Sequence, residues 1–210
     1  MSILSEQIQV VRTVINEFLP VAENLTGAEK ILRIVLKYVE GHADQATTRC
    51  EVRNALAEIN EPADDERLNL CIETAIGLAQ GYGHWKQAQN QVTLDMWPCQ
   101  ELFRLESREV PRDCQERWKD AGGEFYGDAE DRMIAPVNDP IWTAISRFGV
   151  PWPPLDLESG MWVRTIGRQE SEELGVIETD EQVGPAIISL DFAAALRTRL
   201  AKRFFIASST

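Results

Sequence analysis

The chain has 210 residues, 44% of them hydrophobic, and its 34 acidic against 21 basic side chains give a formal charge of -13 and a pI of about 4.6. Such a length and apolar share suffice for one or two domains with a substantial core, while the acid excess argues against a nucleic-acid-binding surface, which needs clustered Lys and Arg to displace counterions. No run of about 18 apolar residues is present to span a membrane, and the start, Met1 to Glu6, has neither the basic nor the apolar region of a secretory signal, so the cytoplasm, or a particle assembled there, is the expected location.

The first ninety or so residues carry helical periodicity. Ser5 can cap a helix with Ile8, Val11, Ile15 and Phe18 inward, and Pro20 stops it. Thr26 and Glu29 form a capping box for a second helix whose stripe is Ile31, Leu32, Val35, Leu36 and Val39, with Gly41 at its end. A shorter helix runs through Val52, Leu56 and Ile59 before the break at Pro62. The longest spans about Asp65 to Gln89, with Leu68, Cys71, Ile72, Ala75, Ile76, Ala79 and Tyr82 on one face. Gly77, Gly81 and Gly83 interrupt it, each costing roughly 0.5 to 1 kcal/mol relative to Ala. Either another backbone, such as a partner chain's, approaches closely there, or the helix kinks or ends near Gly81.

The character changes near residue 92, where prolines, glycines and tryptophans become dense. Gln100–Ser107, Arg132–Val137 and Met161–Ile166 read as short strands, the last with Trp162 and Arg164 on one face. Pro111 suits the first position of a short helix that carries Trp118 and ends at Gly122-Gly123. Asp139-Pro140 opens another that Gly149 closes, and Pro151 to Leu155 should be polyproline-like. Arg168 to Leu174 forms a small helix stopped by Gly175, and an acidic stretch follows from Glu178 to Gln182. Ser189 caps a last helix with Leu190, Ala193, Leu196, Leu200 and Phe204 inward and Arg197, Arg199, Lys202 and Arg203 outward.

Few residues carry the marks of chemistry. Cys50, Cys71, Cys99 and Cys114 are too scattered for a zinc site with only His42 and His84 to assist, so four thiols and no cofactor are expected. His84 has no sequence partner that would make it a base. Asp156, Glu158, Glu170, Glu172 and Glu173 could supply oxygen ligands for a hard cation, as a small metal-dependent hydrolase would need, although such runs usually form a solvated face. Ser159-Gly160 lacks the preceding glycine of a nucleophile elbow, position 157 being Leu. The aromatic residues Trp142, Phe148, Trp152 and Trp162 divide between core and interface, with Trp152, flanked by Pro151, Pro153 and Pro154, the best interface candidate. The basic last helix is an ordinary amphipathic terminus, a contact for an acidic protein, or a minor nucleic-acid contact.

Several segments together resemble a known group. They are Glu73-Thr74-Ala75 and Gln80 to Trp85, Pro98 to Arg104, Arg132 to Ala135, Asn138 to Trp142, and Pro151-Trp152-Pro153-Pro154. The pattern over residues 68–177, strongest from Arg132 to Met161, resembles the minor head or head-morphogenesis proteins of tailed bacteriophages, typified by the phage Mu F protein. Many members of that group follow the double proline with a Cys-x-Cys element where this chain has Leu155 to Met161, so no metal or disulfide role is carried over. The chain is also short for the group. The resemblance implies a non-enzymatic virion or head-assembly protein that binds portal, capsid or neck components; a head-to-tail connector of the neck is the close alternative.

The expectation is therefore an α+β protein. Residues 1–91 form a helical region, and residues 92–210 a turn-rich module with short strands and a C-terminal helix. The expected contact residues are Trp142, Phe148, Trp152, Pro153, Pro154, Arg197, Arg199, Lys202 and Arg203. A homo-oligomer in the virion, assembled in the host cytoplasm and without membrane contact, completes that expectation.

Overall fold

A computed structural model describes residues 3–18, 25–59, 65–105, 113–157 and 160–187, together with 196 and 198. Among them the chain is α+β, with eight helices and one four-stranded antiparallel sheet. Contacts divide it into two compact units, Met1–Gly83 with Ala193–Thr210, and His84–Phe192. The division falls inside a helix, a little before the compositional change near residue 92.

In the first unit, α1 (Ile3–Phe18), α2 (Leu25–Val39), α3 (Gln45–Glu58) and the first turns of α4 (Asp65–Ala88) bury Val10, Val11, Val14, Ile15, Ile31, Leu32, Val35, Val52 and Leu56. Because α1 already runs from Ile3, Ser5 lies inside the helix and does not cap it. The side chain of Thr26 lies outside the described residues, so the capping box expected there does too. α2 ends as glycine predicts: Gly41 takes φ +79°, its N–H donates to Tyr38 O at 2.9 Å, and His42 N–H donates to Lys37 O at 2.7 Å. That pair of bonds satisfies carbonyls the helix leaves open. Asp44 caps α3, its carboxylate accepting from Thr47 N–H at 2.7 Å.

All seven apolar residues read onto one face of α4 are buried. The helix continues unbroken past Gly81 to Ala88, which excludes the early end. At Gly83 the close neighbour belongs to this chain: a Cβ there would come within 2.5 Å of Gln7 Nε2 on α1, and the same amide donates to Ala79 O at 2.9 Å. Tyr82 reinforces the contact, its hydroxyl donating to Glu6 at 2.6 Å, and burial raises its pKa. Exposed ion pairs such as Arg12 with Glu29 at 2.8 Å add little, since solvent screens them.

In the second unit the strands are β1 (Cys99–Arg104), β2 (Phe125–Tyr126), β3 (Arg132–Pro136) and β4 (Met161–Ile166), in the order β2-β3-β1-β4. β1 pairs with β4 from Cys99↔Ile166 to Arg104↔Met161, and with β3 from Cys99↔Pro136 to Leu102↔Met133. Around the sheet lie the short helices α5 (Gln91–Met96), α6 (Cys114–Asp120), α7 (Ile141–Ile145) and α8 (Arg168–Glu173). Period-two alternation assigns the two faces of the sheet. Leu102, Met133, Ala135 and the half-buried Val163 pack under α6 and α7 around Trp118 and Trp142, whose rings meet edge to face at 5.4 Å. Cys99, Ile134 and Ile166 pack on the opposite face with Ile177 and Val183.

Several expectations are corrected here. α6 starts at Cys114 with Asp113 as its N-cap, so Pro111 is not its first residue. α5 and β2 were not legible as separate elements. The double-proline segment is bent, with the Pro153–Pro154 bond cis, and is not a polyproline stretch. α7 starts at Ile141 with Pro140, not Asp139, at its N-cap and ends at Ile145, ahead of Gly149; the Asp139 carboxylate still steadies the entry, Oδ1 accepting from Ile141 N–H at 2.7 Å. α8 closes with Gly175 at φ +72° and Val176 N–H donating to Ser171 O at 2.9 Å. Of the last helix only Leu196 and Thr198 are described, both helical and Leu196 fully buried.

Gly83 and Gly123, both closely packed, respond differently to a methyl group. At Gly123 a Cβ would run into the buried Trp118 ring and Ile141 Cδ1, whereas at Gly83 it meets only the tip of a flexible glutamine. Gly123→Ala should cost about 1 to 3 kcal/mol by overpacking, while Gly83→Ala, helped by helix propensity, stays within about 1 kcal/mol of wild type; urea denaturation midpoints measure both.

Candidate protein-interaction surface

Where the expected contact residues lie decides what can serve as a surface. Trp142 and Trp152 have 0% exposure and Phe148 1%, so all three belong to the core of the second unit and the expectation that they form a docking patch is corrected. Burial also explains why the sequence is so particular here. Trp142 Nε1 donates to Pro136 O at 2.8 Å, Trp118 Nε1 to Glu124 O at 2.8 Å, and Trp152 lies 5.3 Å from Trp85. Pro153 and Pro154 are half-buried beside them. Arg197, Arg199, Lys202 and Arg203 lie outside the described residues.

The same segment is pinned by charge. Asp156, 3% exposed, accepts from Leu157 N–H at 2.7 Å and faces Arg117 Nη2 at 3.4 Å and Arg147 Nε at 3.9 Å. Arg117 also donates to Ile145 O at 2.9 Å, and Arg147 N–H to Leu155 O at 2.8 Å. The acids considered for metal binding do not converge. Asp156 takes these guanidinium partners, Glu170 takes Arg132 at 2.8 Å, Glu172 takes Arg168 at 3.3 Å, and Glu173 accepts from Gln169 at 2.8 Å. Glu158 lies outside the described residues. No group of three or more potential metal ligands occurs among the described residues. His84 is exposed on α4. All four cysteines are free thiols; Cys50 is exposed, and burial pushes the Cys99 thiol up to about 11.

A feature that sequence reasoning missed lies on the sheet face that carries Cys99. Beyond the apolar end of that face, the alternation brings Glu101 and Phe103 of β1, Arg132 of β3, and Trp162 and Arg164 of β4 to the same side. Glu101 is 5% exposed. It accepts from Arg132 Nε and Nη2 at 3.1 and 2.8 Å, and from Arg164 Nε and Nη2 at 2.9 and 2.7 Å. Burial works to raise its pKa, but the hydrogen bonds and charge of the two guanidinium groups outweigh it and hold the carboxyl below its ordinary value. The Arg164 guanidinium also lies 5.4 Å above the Phe103 ring, a cation–π contact. Trp162, the cross-strand partner of Phe103, is 50% exposed.

This is an aromatic–arginine surface on a sheet, with the buried Glu101 paired to two arginines. Trp and Arg are the residue types that anchor protein contacts, since they offer large area and directional bonds at modest entropic cost. A cleft of about 550 Å³ opens at the Arg104 end of β1, with Glu101, Phe103, Arg132, Asp113 and Glu116 among its lining, and none of Trp142, Phe148 or Trp152 walls it. Among the described residues its charged lining comprises Glu101, Asp113, Glu116 and Asp131 with Arg104 and Arg132. Among the described residues no helix is long and apolar enough to cross a membrane.

Comparison with known proteins leaves this geometry to stand alone: no family model, no curated protein and no solved structure matches the chain.

The Glu101 network makes a pH-dependent prediction. A carboxyl whose pKa is depressed by folding contributes stability that is present above its unfolded value and lost as the pH falls through the folded one. Glu101→Gln should therefore cost about 2 to 3 kcal/mol at neutral pH, less than a wholly buried pair because Arg164 reaches water. The difference from wild type, read from urea midpoints, should shrink as the pH drops below about 4.

Proposed function

We propose that the chain is a non-enzymatic binding protein of a tailed-bacteriophage particle, a minor head or head-assembly protein that contacts portal, capsid or neck components. The observation that carries the binding role is the Phe103–Trp162–Arg164 surface: large apolar and cationic groups held in fixed geometry on a sheet, facing outward. The assignment to a phage particle rests on the resemblance of residues 68–177, whose most specific part, Arg132 to Met161, includes β3, α7 and the buried proline–tryptophan segment. On this reading those residues are the scaffold that holds the surface in shape. The overall charge of -13 keeps copies apart from one another and from packaged nucleic acid except where a specific contact is built.

A small metal-dependent hydrolase is disfavoured by the partners of its would-be ligands. A divalent cation at Asp156 would have to displace Arg117 and Arg147.

Two measurements test this reading. Mass spectrometry of particles and assembly intermediates, purified from the host that carries this chain, should find it at a few copies per particle; absence from both overturns the assignment. Calorimetry with Mg²⁺ or Mn²⁺ should give no stoichiometric uptake, and Asp156→Ala should lower stability without altering that result. Tight uptake abolished by Asp156→Ala would favour the hydrolase.

A further inference from the structure

The apolar end of the Cys99 face is covered by a stretch that belongs to no helix or strand. Residues 176–187 follow α8 as turns and irregular chain, and among the described residues none of their backbone groups joins the ladder of a strand. Two buried side chains anchor the stretch, Ile177 and Val183, which pack with Cys99, Ile134 and Ile166. Between those anchors residues 178–182 are all exposed, and Glu178, Asp180 and Glu181 among them are acids.

Side chains of neighbouring elements fasten it. Arg168, the first residue of α8, donates from Nη1 to Glu181 O at 3.0 Å and from Nε to Asp95 O of α5 at 2.6 Å. Its ion-pair partner Glu172, at 3.3 Å, accepts in turn from Asp180 N–H at 3.4 Å. Further along, Gln91 Nε2 donates to Val183 O at 3.3 Å, and Gln89 Oε1 accepts from Ala186 N–H at 2.7 Å. Arg168 is thus the single side chain that joins α5, α8 and this cover. The bonds at 3.3 and 3.4 Å are long, and so contribute little. β1 beneath is held differently, by ladders to β3 on one side and β4 on the other. A cover with two apolar anchors and fastenings made mostly by side chains lifts at lower cost than strands paired on both sides.

We propose that residues 176–186 form a latched strap, with Arg168 as the latch, whose release bares Cys99, Ile134 and Ile166 while the sheet beneath stays folded. The bared strip lies on the same sheet face as Phe103, Trp162 and Arg164, so the latch sets how much apolar surface that face presents. This device does not rest on the phage assignment, and particle composition does not bear on it.

Cys99 reports the strap's position, since it is fully buried and the charges of Arg168 and Glu181 both reach its thiol. All six tryptophans fall within the second unit, so their fluorescence in urea follows the unfolding of that unit. Pulses of N-ethylmaleimide on the full chain, read by peptide mass spectrometry, give the rate at which Cys99 becomes accessible. In the wild type that rate should exceed what global unfolding of the unit allows. Arg168→Ala should raise it at least about tenfold, as the loss of hydrogen bonds from a charged donor implies. Ile145→Val, in the core on the opposite face, weakens the closed and open forms alike: it should lower the urea midpoint and leave Cys99 labelling unchanged. Val183→Ala keeps the latch but trims an anchor and should also speed labelling, which decides the matter should Arg168→Ala fail to fold. The proposal is overturned if Ile145→Val speeds Cys99 labelling as much as it speeds global unfolding, or if a folded Arg168→Ala or Val183→Ala labels at the wild-type rate.

Discussion

Two buried indole N–H groups set the terms for the second unit. An indole nitrogen taken out of water must find an acceptor, and those of Trp118 and Trp142 find main-chain carbonyls, at Glu124 and Pro136. Each bond ties a helix to the chain beside a strand: Trp118 of α6 to the segment entering β2, Trp142 of α7 to the end of β3. Since the rings also meet edge to face, neither helix can shift without breaking a hydrogen bond and opening a gap. Gly123 is the complement of this arrangement, the place where the chain passes too close to the Trp118 ring to tolerate even a methyl group.

With one face of the sheet closed in this way, the other is left to divide its labour along its length. Near Cys99 it is apolar and covered by Ile177 and Val183. Two residues further along β1, a carboxylate is buried there, and what makes that tolerable is the four-fold donation from Arg132 and Arg164. The network joins three strands at one point, so it fixes register as well as charge. It also immobilises Arg164, and an immobilised guanidinium with an aromatic ring beneath it loses less entropy when a partner covers it.

The helices of the first unit were legible because period and punctuation agreed. α4 was readable almost to its ends from its seven apolar positions, and the glycine that closes α2 acts through its positive φ. The strands at Arg132 and Met161 were legible from β-branched and aromatic content; α5 and β2, at six and two residues, were too short to show a period. The chief misreading concerned Trp142, Phe148 and Trp152. Proline-flanked aromatic residues look like a rigid patch whether they face outward or inward, and only the long-range acceptors and the stapling of Asp156 to Arg117 place them inside. Glu101 was invisible for a related reason. Its partners lie 31 and 63 residues away, and register between strands is not written in any local pattern.

The charge balance of the chain takes on a sharper meaning once its arginines are located. In the second unit Arg117, Arg132, Arg147, Arg164 and Arg168 each face a carboxylate of the same unit at 3.4 Å or closer. These cations are committed to holding the fold, so they are poorly placed to bind phosphate, and the acid excess stands largely uncompensated at the surface. On the β4 face that charge is locally cancelled: the buried Glu101 carboxylate is paired with Arg132 and Arg164, Arg164 is stacked over Phe103, and Trp162 is half exposed beside it.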